Sequence, residues 1–147
     1  MIVRTAVAQS YRNIARQICD VNGWNCRVVP RSSVWTAEID MYVGSQYDVV
    51  YEYGLLAMHT PKLLYITVEG DFIYPGHWAS LRELCKKTHC VVPTRWGRAL
   101  LESRGVDVDG VVYHALPPGW DSVGVRPSYD VVYVNARYVF KNGVLGR

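Results

Sequence analysis

The amino-acid sequence predicts an α/β fold: a Rossmann-like three-layer sandwich with helices on the faces of a mostly parallel sheet. Three observations predict it. Short runs rich in β-branched and aromatic residues recur along the chain, among them KLLYITVEGD (62–71), CVVPT (90–94) and GVVYHALPPG (110–119). Such runs, bounded by turn residues, read as buried parallel strands. Between them lie stretches such as WASLRELCKKTH and RWGRALLESRG, whose apolar residues repeat at helical spacing. Finally, half of the 147 residues are hydrophobic and 20% are charged, a balance that suits one domain burying roughly 70% of its unfolded surface.

Taken in order, IVRTAVA (2–8) reads as a first strand, followed by a helix from Tyr11 to Val21. Asn22-Gly23 closes that helix with residues that tolerate a left-handed backbone. CRVVP (26–30) is a second strand, and Ser33–Val43 reads as a short helix capped by Ser32 or Ser33. YDVVYEYG (47–54) reads as a strand, as do the three runs quoted above. In the helix after KLLYITVEGD, Leu81, Leu84, Cys85 and Thr88 share a face and Lys86-Lys87 suit the carboxyl end. The next helix opens at Thr94 and closes on Gly105. Residues 117–128, LPPGWDSVGVRP, form a connector to a last strand over 129–137, so that 1–147 is one domain.

Composition excludes several classes. The net charge of +3 is spread among acidic residues, with no basic stripe longer than Lys86-Lys87, so nucleic acid is not an expected partner. No apolar run is long enough to span a bilayer, and MIVRTAVAQSYR lacks the blocks of a signal peptide; a cytoplasmic protein is expected. The loops GxxxxGK[ST], GxGxxG and GxSxG are absent, and no cofactor is expected. Cys19, Cys26, Cys85 and Cys90 do not match zinc spacing, and no metal is expected. Each pair joins a helix end to the start of the next strand. Two local staples are therefore feasible, although free thiols are the default in a cytosolic setting.

Ligands of open parallel sheets bind beyond the carboxyl ends of the strands. Polar residues fall repeatedly at those places: Glu52, Glu69 with Asp71, Thr94 with Arg95, His114, and Asn135 with Arg137. Thr94 occupies an N-cap position, and the first-turn amides beside Arg95 and Arg98 form a place for phosphate or carboxylate. Glu69-Gly70-Asp71 sets two carboxylates at a strand end, suited to sugar hydroxyls or to general-base work. His114 is a further base or ligand contact. The competing account of each residue is structural: a capped helix, an exposed acidic turn and a hydrogen-bonding spacer.

ITVEGD-FIYPGHW, CVVPTRWGRALLESRGV and VVYHALPPGWDS, in this order, resemble the amino-terminal half of GT-B glycosyltransferases, in particular the retaining family 4 type. Pro93-Thr94-Arg95-Trp96 stands for that family's Pro-Ser-aromatic step, and Gly105-Val106 for its helix end. His114 to Asp121 resembles a lengthened His-Gly-Val-Asp segment, and YDVVYVNARYVFKNG the strand opening the second domain. Gln9-Ser10-Tyr11 replaces the Gly-rich loop, and the expected chain is the first half alone. The resemblance implies a Rossmann-like domain binding a sugar acceptor or nucleotide sugar, completed by a homodimer or second subunit. It implies glycosyl transfer with Glu69, Asp71 and His114 as catalytic residues, and Thr94, Arg95, Trp96 and Asp121 as substrate contacts. The alternative is a binding or interaction module that has kept the fold without transfer activity.

Overall fold

Strand β1 (Ile2–Thr5) lies between β2 (Arg27–Val29) and β3 (Met41–Ser45) in a sheet whose six strands are all parallel, in the order β2-β1-β3-β4-β5-β6. The computed structural model describes residues 1–29, 35 and 38–114. These all fall within the unit Met1–Pro117. The expected connector over 117–128, the last strand over 129–137 and Asp121 lie outside the described residues.

Helix α1 (Gln9–Val21) carries the chain from β1 outward to β2; the chain then passes back across β1 to β3. From there β4 (Leu63–Thr67), β5 (His89–Val92) and β6 (Gly110–Val111) are added in turn on the other side. Because parallel crossovers are right-handed, reversing the direction of winding moves the helices to the opposite face. The two cores follow this rule. On one face Ala15, Ile18 and Cys19 of α1 pack on Val3, Met41, Val43 and Tyr65. The opposite face carries α2 (Gln46–Tyr51), α3 (Tyr53–Met58), α4 (Gly76–Cys85) and α5 (Arg95–Ser103). From them Val49, Leu56, Trp78, Leu81 and Leu101 meet Tyr42, Leu64, Ile66 and Val92. The three-layer α/β prediction therefore holds, and the winding reverses between β1 and β3.

Two elements differ from the sequence reading. Of the helix expected over 33–43, residues 41–43 belong instead to strand β3, every residue of which is buried. YDVVYEYG, expected as a strand, forms most of α2 and the first two residues of α3. The cause is a capping box. The Ser45 hydroxyl accepts from the Asp48 amide at 3.2 Å, and the Asp48 carboxylate accepts from the Ser45 amide at 3.0 Å. Two otherwise orphaned donors are satisfied, which outweighs the strand preference of Val and Tyr. Glu52 consequently sits between α2 and α3, buried and close to Arg4, rather than at a strand end. The Arg4 guanidinium lies 3.9 Å from the centre of the Trp35 ring, and burial lowers its pKa while Glu52 opposes that shift.

The predicted helix ends hold. Gly23 follows α1 with φ of 64°, a left-handed conformation costly for any residue with a side chain. Cys19 and Cys26 form a disulfide across that turn, correcting the free-thiol expectation for this pair; Cys85 and Cys90 are free and buried.

Candidate functional site

Side chains alternate along a strand, so residues two apart share a face. Val3, Val43 and Tyr65 face α1. Thr5, Ser45 and Thr67, each two residues further on, therefore face the same way at the carboxyl ends of β1, β3 and β4. Ser45 and Thr67 are direct neighbours in register. Three hydroxyl side chains thus line the carboxyl edge on the α1 side of the switch point.

Tyr11, from the first turns of α1, reaches over this row. Its phenol donates to Glu69 Oε1 at 3.3 Å, beside a Ser45 hydroxyl that donates to Asp48 Oδ2 at 2.7 Å and a Thr67 hydroxyl that donates to the Gly44 carbonyl at 3.4 Å. Burial raises the Tyr11 pKa, so the phenol remains a donor at neutral pH. Thr5 is fully buried, and its hydroxyl has no hydrogen-bond partner. A buried hydroxyl left unmatched costs about 1–3 kcal/mol, and such groups call for an explanation.

Glu69 is held from behind. Gln46 is fully buried; its Nε2 donates to the Gly70 carbonyl at 2.7 Å, and its Oε1 accepts from the Glu69 amide at 2.8 Å. Tyr47 donates to the Asp71 carbonyl at 3.0 Å. The first two residues of α2 thereby fix the loop after β4. Within that loop Gly70 separates the two carboxylates: Glu69 turns to Tyr11 on the α1 side, whereas Asp71 pairs with Arg104 at the end of α5. The structure does not bring Glu69 and Asp71 together.

The remaining predicted residues are placed as follows. Thr94 caps α5, accepting from the Gly97 amide at 3.0 Å. A Cβ on Gly97 would lie 3.0 Å from Val68 Cγ2 and 3.1 Å from the Thr94 hydroxyl, so glycine lets α5 begin against the end of β4. Arg95 and Trp96 are exposed beside that cap. Arg98, the other arginine expected at this turn, pairs with Glu102 at 2.7 Å, and Arg104 at the end of α5 pairs with Asp71. His114 lies with its ring 5.8 Å from that of Tyr65, on the α1 face. Partial desolvation lowers its pKa below the ordinary 6.5, and the imidazole is neutral at neutral pH. Tyr65 spends its hydroxyl on the Val112 carbonyl at 2.8 Å.

Thr5, Ser45, Gln46 and Thr67 were not singled out from the sequence, and Tyr11 entered only as a helix start and as part of the segment in place of a Gly-rich loop. A capping pattern, S-x-x-D, marks Ser45; nothing local marks the contact between Tyr11 and Glu69, which are 58 residues apart. Exposed apolar side chains surround the cluster. Val7, Tyr47, Ile73, Tyr74, Trp96 and Tyr113 all belong to segments that follow strands. Beside the rim, α2 and α4 leave a hollow of about 480 Å³ lined by Tyr47, Asp48, Val50, Tyr51 and His77.

At the amino ends of the strands Asp40 and Asp109 are matched instead. Asp40 accepts from the Ile2 amide at 2.7 Å and pairs with Lys62 at 2.7 Å. Asp109 accepts from the Cys90 amide at 2.7 Å and faces His89 at 3.5 Å. A groove of about 720 Å³ opens here, lined by Lys62, Lys86, His89 and Asp109 among others. Among the described residues no group of three or more His, Cys, Asp or Glu is placed to hold a metal, and no helix is long and apolar enough to cross a membrane. Comparison with known protein families, with curated proteins and with solved structures returns no match.

Proposed function

We propose that this chain binds a carbohydrate, as sugar acceptor or nucleotide sugar, at the carboxyl edge of β1, β3 and β4, as a glycosyltransferase-like domain. The observation that carries the reading is the Tyr11–Glu69 pair at this edge, with the unmatched Thr5 hydroxyl on the same face of the sheet. Sugars are polyols, each hydroxyl both donor and acceptor, and a row of hydroxyls with one carboxylate offers both in return. Glu69, fixed by Gln46, is the group that accepts from a sugar hydroxyl and takes its proton in transfer. Asp71 is committed to Arg104, so the general-base role falls to Glu69. His114 contacts the substrate as a neutral acceptor or donor. Arg95, beside the Thr94 cap, receives the anionic part of a nucleotide sugar, with Trp96 as a stacking surface.

A second copy or another subunit completes the cleft. The exposed apolar residues of the rim, with Ile73 at 82% and Trp96 at 58%, favour such a cover. They also favour the second reading, an interaction module that binds without transfer. Calorimetric titration with UDP, GDP and their glucose and mannose conjugates, repeated on Glu69→Gln, tests the proposal. Saturable binding weakened about tenfold in the variant is expected, equivalent to about 1.4 kcal/mol. Absence of heat with every ligand at millimolar concentration defeats the carbohydrate reading and leaves the interaction module.

A further inference from the structure

We propose that Cys85 and Cys90 are a reactive dithiol that exchanges with small-molecule disulfides and closes into a second, reversible staple. Cys85 is the last residue of α4 and Cys90 the second of β5, both buried in the core beneath α4 and α5. Both thiols belong to the same core cluster, and Cys85 is near enough to be the leading influence on the Cys90 thiol. Their placement repeats that of the bonded pair on the opposite face, where Cys19 in the last turn of α1 joins Cys26, just before β2. In both cases a helix end is tied to the start of the following strand, one pair in each core.

The two sulfurs are not equivalent. Cys85 lines the groove at the amino rim, whereas Cys90 is fully buried on β5, which lies between β4 and β6. The neighbouring Cys85, then burial, push the Cys90 thiol up. Cys85 is therefore the attacking sulfur and Cys90 the resolving one. The Cys85 thiolate attacks glutathione disulfide, forming a mixed disulfide and releasing one glutathione thiolate. Cys90 then attacks the Cys85 sulfur; the second glutathione leaves and carries away the Cys90 proton. The pair loses two electrons and two protons, and one glutathione disulfide becomes two molecules of glutathione. The groove beside Cys85, with Lys62, Lys86 and Lys87 in its lining, provides entry for an anionic disulfide.

The test uses the whole purified chain, equilibrated with excess glutathione disulfide below its unfolding temperature, then denatured, alkylated and weighed. The expected result is loss of both alkylatable thiols, no retained glutathione, a linked Cys85–Cys90 peptide, and full reversal by reduced glutathione. The melting temperature rises on the order of 5 °C, as expected for a short loop closed in the unfolded chain. Cys90→Ser traps one glutathione on Cys85, and Cys85→Ser takes up none. Cys90→Ala serves the same purpose should serine disturb the core. Two alkylatable thiols after full equilibration overturn the proposal. So does a glutathione retained on the unaltered chain, or a link between chains.

Discussion

The two ends of the parallel sheet are built from the same residue types and use them differently. At the amino rim two carboxylates are spent on the fold: Asp40 serves the Ile2 amide and Lys62, and Asp109 serves the Cys90 amide and His89. The carboxyl rim leaves groups over. Thr5 keeps an unmatched hydroxyl, Glu69 accepts from one phenol at 3.3 Å, and large apolar side chains stand in solvent. A strand needs its first amides capped wherever it begins, which accounts for the amino rim without a ligand. Nothing in folding asks for a buried hydroxyl with no partner. The difference between the rims separates polar residues that hold the fold together from those available for binding.

The largest expected effect comes from filling the unmatched position. Thr5→Val keeps the shape, removes the hydroxyl and should raise stability by about 1 kcal/mol, seen as a higher denaturant midpoint. In the same variant carbohydrate affinity should fall. A destabilised Thr5→Val chain would mean that the hydroxyl has a partner in the fold.

Next is the cap that turns YDVVYEYG into a helix. Ser45→Ala removes the acceptor for the Asp48 amide and should cost about 1 kcal/mol, read by urea unfolding. The loss should also weaken binding, because α2 positions Gln46 and through it Glu69. Tyr11→Phe should change stability by less than about 0.5 kcal/mol while lowering affinity several-fold.

The amino rim supplies the pH dependence. The hydrogen bond from Lys62, then that from the Ile2 amide, holds the Asp40 carboxyl below its ordinary 3.8; for Asp109 the Cys90 amide is the leading cause. A carboxyl depressed on folding contributes stability that is present above its unfolded pKa and lost as pH falls through the folded one. The melting temperature should therefore decline below pH 3.8, and the decline should be shallower in Asp40→Asn and Asp109→Asn than in the parent. His114 adds a weaker trend of the same sign at higher pH. Its folded pKa lies below 6.5, so stability present above that value is lost as pH falls through the folded one, and His114→Gln should abolish the trend.

Much of the layering was legible in the sequence because buried parallel strands are written as local runs. KLLYITVEGD and CVVPT became β4 and β5, and Thr94 and Gly23 mark helix ends as their residue types require. YDVVYEYG misleads because its Val and Tyr residues favour strands, and only Ser45 and Asp48 outside and inside the run tip it to helix. In the site, Glu69 and His114 could be found as strand-end polar residues. Tyr11 and Thr5 could not. One is read as helix surface and the other as strand interior until the crossover brings α1 over β3 and β4.

The central claim is that the carboxyl rim, and not the grooved amino rim, takes the carbohydrate. Backbone amide shifts followed by NMR during titration with a nucleotide sugar test it most directly. The account predicts that the amides of Thr5, Tyr11, Ser45, Thr67 and Glu69 move together and saturate, while those of Lys62, Lys86, His89 and Asp109 stay in place. Movement confined to the amino-rim residues would contradict it.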